Sequence, residues 1–281
     1  MSCVSNIKKS LGGSMRLKII FHADRLPVIY RHRFMALIKE ALEISSPEYK
    51  SFLYPEKDSE ISKRTKPFSF AVVLPKDKKI TRGKIKIDED YEIEDVIFEI
   101  PNESKLSFVV SSPDYFFIIG LYNGLLKIKE FPINDEISIK IYTTQVLREK
   151  EITENEVVFK TLSPILIEDK YEKPVLPWDE KFYECFNETQ SRILKDIRGY
   201  GLRSDVIIEP IKIRKSVIKH SIRWFRNETG KPYMILTCFE GTFKMKGDID
   251  DLRDLYVSGV GLRTGQGFGL IEPVGNGYGK E

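Results

Sequence analysis

The sequence predicts an α+β protein of two tandem ferredoxin-like domains, each running β-α-β-β-α-β. Three observations carry this expectation. Short runs that alternate in polarity, or are rich in β-branched and aromatic residues, read as strands, while longer runs with apolar residues three and four apart read as helices. Their order, strand-helix-strand-strand-helix-strand, occurs twice. The 281 residues are 41% hydrophobic, which suits one large or two ordinary globular domains and is too apolar for a disordered chain.

In the first round, residues 16–21 alternate as a strand, and residues 30–44 place Phe34, Leu37, Ile38, Ala41 and Leu42 at helical spacing. Residues 67–74 (PFSFAVVL) form the second strand, and 96–100 with 106–110 form an extended pair. Residues 112–128 have helical length behind an N-cap-like Ser-Pro-Asp, and 137–146 close the round as a strand. The second round offers a strand at 157–167, a helix at 179–197, strands at 206–213, 217–225 and 233–246, a short helix at 249–257 and a last strand at 267–274. The charged, aperiodic EKEITEN near 148–155 marks the join. The expected domains are therefore 15–149 and 150–281, with residues 1–14 (Lys8, Lys9, Gly12, Gly13) a loose extension.

The 45 basic and 42 acidic side chains leave a net charge of only +3, so an argument for nucleic acid must rest on local clusters. Cys3, Cys185 and Cys238 are far apart, with no CxxC and no Cys/His group, which argues against a disulfide framework or a structural zinc and for a reducing cytoplasm. The longest mostly apolar stretch, 115–122, falls far short of the ~20 residues that span a bilayer. Neither membrane insertion nor secretion is expected.

The most specific segment is Gly259-Val-Gly-Leu-Arg-Thr-Gly-Gln-Gly-Phe-Gly269, with five glycines in eleven residues. Glycine at Gly259, Gly261, Gly265, Gly267 and Gly269 lets successive N–H groups turn toward phosphate oxygens, and Arg263 adds a cation. A tight helix-to-strand connection is the alternative. The segment lacks Gly-Lys-Ser/Thr and precedes a strand, so it is neither a Walker loop nor a dinucleotide fingerprint.

This loop fits the pattern GhGxxxxxGhG, h being hydrophobic, and so resembles the C-terminal signature of the CRISPR-associated repeat-processing endoribonucleases of the RAMP superfamily, which have RRM-like domains. Lys66-Pro-Phe-Ser-Phe70 and Thr161-Leu-Ser-Pro-Ile165 look like two further segments of that family. The resemblance runs from about residue 15 to residue 274. It implies binding of CRISPR repeat RNA and one cut per repeat, by attack of a ribose 2'-OH on the adjacent phosphate to leave a 2',3'-cyclic phosphate. Such chemistry needs a base, an acid and a cation, with no metal and no cofactor. It implies as partners repeat RNA, other CRISPR effector subunits and a second copy in a homodimer.

The resemblance also carries site residues. Where relatives commonly have a histidine after the first helix, this chain has Tyr54 in Ser51-Phe-Leu-Tyr; their helix tyrosine falls at Lys39, and their downstream lysine is matched by Lys66. From the residues themselves, His32 is the best-placed histidine: it lies between Arg31 and Arg33 and shares with Lys39 a helix face opposite the core stripe. An exposed histidine without a role is the alternative. Residues 211–227 carry Lys212, Arg214, Lys215, Lys219, Arg223 and Arg226 with no acid, interleaved with Trp224 and Phe225, and read as a basic hairpin in which His220 also contacts RNA. Residues 63–86 hold nine Lys/Arg against one Asp, and residues 88–103, with eight acids, are expected away from RNA. The sequence thus points to a metal-independent endoribonuclease. A repeat-RNA-binding protein without cleavage and a non-cutting effector subunit are the other readings.

Overall fold

The computed structural model describes residues 16–55 and 65–275. The extension 1–14 and the basic residues Lys63 and Arg64 lie outside the described residues.

The first sheet is built from β1 (Arg16–His22), β3 (Ser69–Val73), β6 (Leu106–Ser111), β8 (Ser138–Leu147) and β7 (Glu130–Pro132), in the order β3-β6-β1-β8-β7. Its neighbours pair antiparallel, with Leu17 opposite both Val110 and Val146. Two helices cover one face: α1 (Arg31–Ser45), which buries the expected Phe34, Leu37, Ile38, Ala41 and Leu42, and α3 (Tyr115–Leu125). Asp114 caps α3, its carboxylate accepting from the N–H groups of Phe116 and Phe117, as Ser-Pro-Asp predicted. Phe34 lies 5.0 Å from Phe108, and Phe68 stacks on Phe117 at 4.4 Å, in the core between sheet and helices. A short helix, α2 (Pro47–Leu53), follows α1.

The second sheet orders β10 (Ile207–His220), β11 (Met234–Lys246), β9 (Glu156–Thr161) and β12 (Ile271–Pro273). It is covered by α4 (Phe182–Arg198) and α6 (Ile249–Ser258) around Phe159, Phe186, Phe239, Phe243 and Leu255. With the small β7 set aside, each sheet reads fourth-first-third-second in the chain order of its round, the arrangement of a split βαβ unit. The α+β tandem ferredoxin-like fold is thereby shown.

Two parts differ from expectation. Residues 96–100 do not pair with 106–110: β5 (Glu92–Glu99) pairs with β4 (Lys79–Lys86) and with β2 (Arg25–Pro27) in a separate three-stranded sheet. The reason is charge, since KITRGKIK faces EIEDVIFE with Lys84 opposite Glu94 and Lys86 opposite Glu92. Residues 206–225 are not two strands, because β10 runs unbroken to His220 and Arg223–Thr229 then forms a short helix, α5, at the end of the β10-β11 hairpin.

The halves are tied by buried polar groups. Arg16 at the start of β1 is 1% exposed; its guanidinium donates to Glu272 Oε2 at 2.6 Å and to the carbonyls of Tyr256 and Ile271 at 2.8 Å. It lies 3.9 Å over the Tyr256 ring. The small sheet meets the hairpin through Lys219–Asp95 at 2.5 Å and Arg226–Asp88 at 2.6 Å.

Candidate active site

The glycine-rich loop links α6 to β12 and is wedged between the halves. A Cβ at Gly267, where φ is +90°, would lie 2.7 Å from the Phe70 ring, and one at Gly269 would overlap the Val260 carbonyl. Gly259 faces Ser69, Gly261 the Leu166 carbonyl, and Gly265 the Lys66 side chain. The structure therefore corrects the expectation for these five glycines: they serve close packing of loop on protein, and their backbone is buried rather than open to phosphate. What the loop offers at the surface are the side chains of Leu262, Arg263 and Gln266.

These line a cleft of about 390 Å³ together with Met35 of α1, Tyr54 at the end of α2, Thr65, Lys66, and Arg192 and Asp196 of α4. The buried stripe of α1 turns Lys39 outward, and its ammonium group sits 4.6 Å from the Tyr54 ring centroid. The Lys66 ammonium group sits 5.3 Å from the same ring and donates to the Leu53 carbonyl. The structure thus brings together Lys39, Tyr54, Lys66 and Arg263. Burial lowers the pKa of both lysines; Lys50 adds to the effect at Lys39, and Lys39 adds to it at Lys66. Burial raises the Tyr54 phenol, whose hydroxyl has no hydrogen-bond partner among the described residues. Asp196 accepts from Thr65 Oγ1 at 2.8 Å.

The other expected residues lie elsewhere. Both ring nitrogens of His32 are buried without a hydrogen-bonding side chain, and burial, with Arg33, Arg226 and His220 nearby, pushes its pKa down to about 3. It does not line the cleft. His220 is 1% exposed and its Nε2 is hydrogen-bonded to Gln266 within the protein, so it is not open to RNA. Arg31 is buried, with Nε donating to the Gly267 carbonyl at 3.2 Å, and Arg33 donates to the Pro132 carbonyl at 2.8 Å. Lys219 and Arg226 are taken up by Asp95 and Asp88, and Arg214 pairs with Glu240 at 2.7 Å. The acidic segment, far from being idle, neutralises part of the basic one. Lys212, Lys215 and Arg223 stay exposed. Sequence reasoning missed Arg192, whose place on an exposed helix face carries no signal, and Gln266, which falls at a position that the glycine pattern leaves unspecified.

Two split-βαβ halves with a glycine-rich loop wedged between them make a fold that solved proteins share. A structure described as an RAMP protein binding different RNA substrates is 21% identical, with a TM-score of 0.69 over 93% of this chain and 100% of that one. The protein of a Cas6-related gene from Pyrococcus furiosus is 21% identical, with a TM-score of 0.68 over 94% and 100% of the two chains. A CRISPR associated protein Cas6 is 22% identical, with a TM-score of 0.65 over 93% and 100%. At these identities the likeness shows the fold. Residues 147–273 match the family described as CRISPR associated protein Cas6, C-terminal. No curated protein matches the chain in sequence. Among the described residues, no helix is long and apolar enough to cross a membrane.

Proposed function

We propose that this protein is a metal-independent endoribonuclease that binds CRISPR repeat RNA and cuts it once per repeat, with residues 15–149 and 150–281 as its two domains. The observation that carries the reading is the convergence of Lys66, Arg192 and Arg263 on one inter-half cleft, with Lys39 behind its Tyr54 and the lining carboxylate, Asp196, engaged by Thr65. Such a lining suits a phosphodiester and the extra negative charge of a phosphorane. The ribose 2'-oxygen attacks phosphorus, the bond to the 5'-oxygen breaks, and the 2'-proton is lost as the 5'-oxygen gains one. Lys66 on the cleft and Lys39 across the Tyr54 ring from it, both with lowered pKa values, are the groups closest to proton transfer, and Arg263 adds a cation. The family match and the RNA-binding RAMP relative support repeat RNA as the ligand. Lys212, Lys215 and Arg223 extend the basic surface along the hairpin.

One observation favours a second reading, repeat binding without cleavage: none of His22, His32 and His220 lines the cleft. A single experiment separates the two. The purified protein is incubated with repeat RNA in excess EDTA, beside an RNA carrying 2'-deoxyribose 5' of the expected cut. One product ending in a cyclic phosphate, absent with the deoxy substrate, is expected. A strict Mg2+ requirement overturns the mechanism, and tight binding with no cut in either buffer establishes the second reading.

A further inference from the structure

The buried imidazole of His220 has no role in the cleft chemistry above, yet it is not idle. Its ring packs edge-on against Phe268, 5.5 Å between centroids and 85° between planes, and its Nε2 lies 3.0 Å from Gln266 Oε1. Arg263 Nη1 reaches the same Gln266 oxygen at 3.5 Å. Arginine can only donate, so the shared Gln266 atom is the carbonyl oxygen, and the imidazole must be the tautomer with hydrogen on Nε2. Two donors from two directions therefore hold the Gln266 carboxamide with its oxygen inward. Its NH2 group, uncommitted among the described residues, is left on the cleft wall beside Lys66, Tyr54 and Arg263.

From this geometry we infer that Gln266 is a direct hydrogen-bond donor to the RNA at the reacting phosphodiester, and that His220 is the positioning residue that fixes its orientation. An unrestrained glutamine side chain turns either end toward a ligand, and the oxygen end repels a phosphate oxygen. The His220 lock removes that wrong orientation before RNA arrives, so no reorganisation is needed at the reaction. The neutral tautomer is enforced by the surroundings: burial, Arg31 and Arg263 push the His220 pKa down to about 3, with the Gln266 bond opposing them. His220 Nδ1 is buried without a partner, which makes Gln266 its one hydrogen-bonded neighbour among the described residues.

The inference rests on the RNA reading above, and its test separates the two. Gln266→Leu, His220→Phe, His220→Gln and the double variant Gln266→Leu/His220→Phe are compared by single-turnover cleavage at saturating protein and by affinity for the uncleavable 2'-deoxy repeat RNA, each after its thermal midpoint is checked. Loss of one pre-oriented donor lowers the rate on the order of a hundredfold in Gln266→Leu, and His220→Phe falls close to it. The amide of His220→Gln can replace the Nε2–H and restores most of the rate. The double variant is no slower than Gln266→Leu, because the histidine acts only through the glutamine. Wild-type rates in Gln266→Leu or His220→Phe, or losses that multiply in the double variant, overturn the inference. If the wild type does not cut, the cleavage reading falls and affinity decides: about tenfold weaker binding in Gln266→Leu, no weaker in the double variant, upholds the donor role, and unchanged affinity overturns it. Should His220→Phe fail to fold, Gln266→Leu against His220→Gln still discriminates.

Discussion

At the scale of single residues, the structure reverses the ranking of candidates that helix geometry suggests. Counting 100° per residue places His32 and Lys39 on one face of α1, and that face is indeed distinct from the buried stripe. The count cannot say what other elements lay over each end of it. The hairpin end, with Arg226 and His220, reaches the His32 end, while Tyr54 and Lys66 meet the Lys39 end. We expect Lys39→Ala and Lys66→Ala each to lower single-turnover cleavage on the order of a hundredfold, and His32→Ala to leave the rate of the folded protein within a few-fold. A dead His32→Ala that stays folded would restore the imidazole to the mechanism. His32 instead marks stability. Its folded pKa of about 3 lies below the unfolded value of about 6.5, so between those values the unfolded chain binds more protons. Stability must fall as pH falls through that window, and His32→Phe should flatten the decline between pH 7 and pH 4.5 in urea unfolding.

At the scale of elements, α1, α3, α4, α6 and the long strand β11 are legible because their patterns are strong, and the C-terminal loop because its glycine spacing is rare; the longest strand, β10, and the short helices α2 and α5 are not. The use of those glycines was not legible. Spacing shows that a backbone is permissive, and only the packing shows what comes close to it. A direct comparison follows from the conformations: Gly230 and Gly269 both have positive φ, but a Cβ at Gly230 meets nothing within 4 Å, whereas at Gly269 it strikes the Val260 carbonyl. Gly230→Ala should cost about 1 kcal/mol, the left-handed penalty alone, and Gly269→Ala clearly more, in the same denaturant titration. Equal losses would mean that the loop yields easily. The basic segment near 79–86 and the acidic one near 92–99 show the same limit. Each was visible as a charge run, but pairing across a hairpin is a relation between two runs that neither contains by itself.

At the scale of the whole molecule, the two ferredoxin-like rounds could be read from element order, and the way they join could not, since single buried side chains decide it. Arg16 is the clearest case, with three acceptors in the second half and a stacked tyrosine. Arg16→Leu should destabilise the protein by about 3–5 kcal/mol and split its unfolding into two transitions, followed by urea titration with far-UV and near-UV signals. A single unchanged transition would show that the apolar contacts alone unite the halves. The cleft has a temporal side as well. One wall, Tyr54 and Lys66, is synthesised early, while the facing Arg263 and Gln266 come some two hundred residues later. A nascent chain paused midway on the ribosome holds only half of this groove, so RNA beside it does not meet the complete cleft until Gln266 has been made and folded into place.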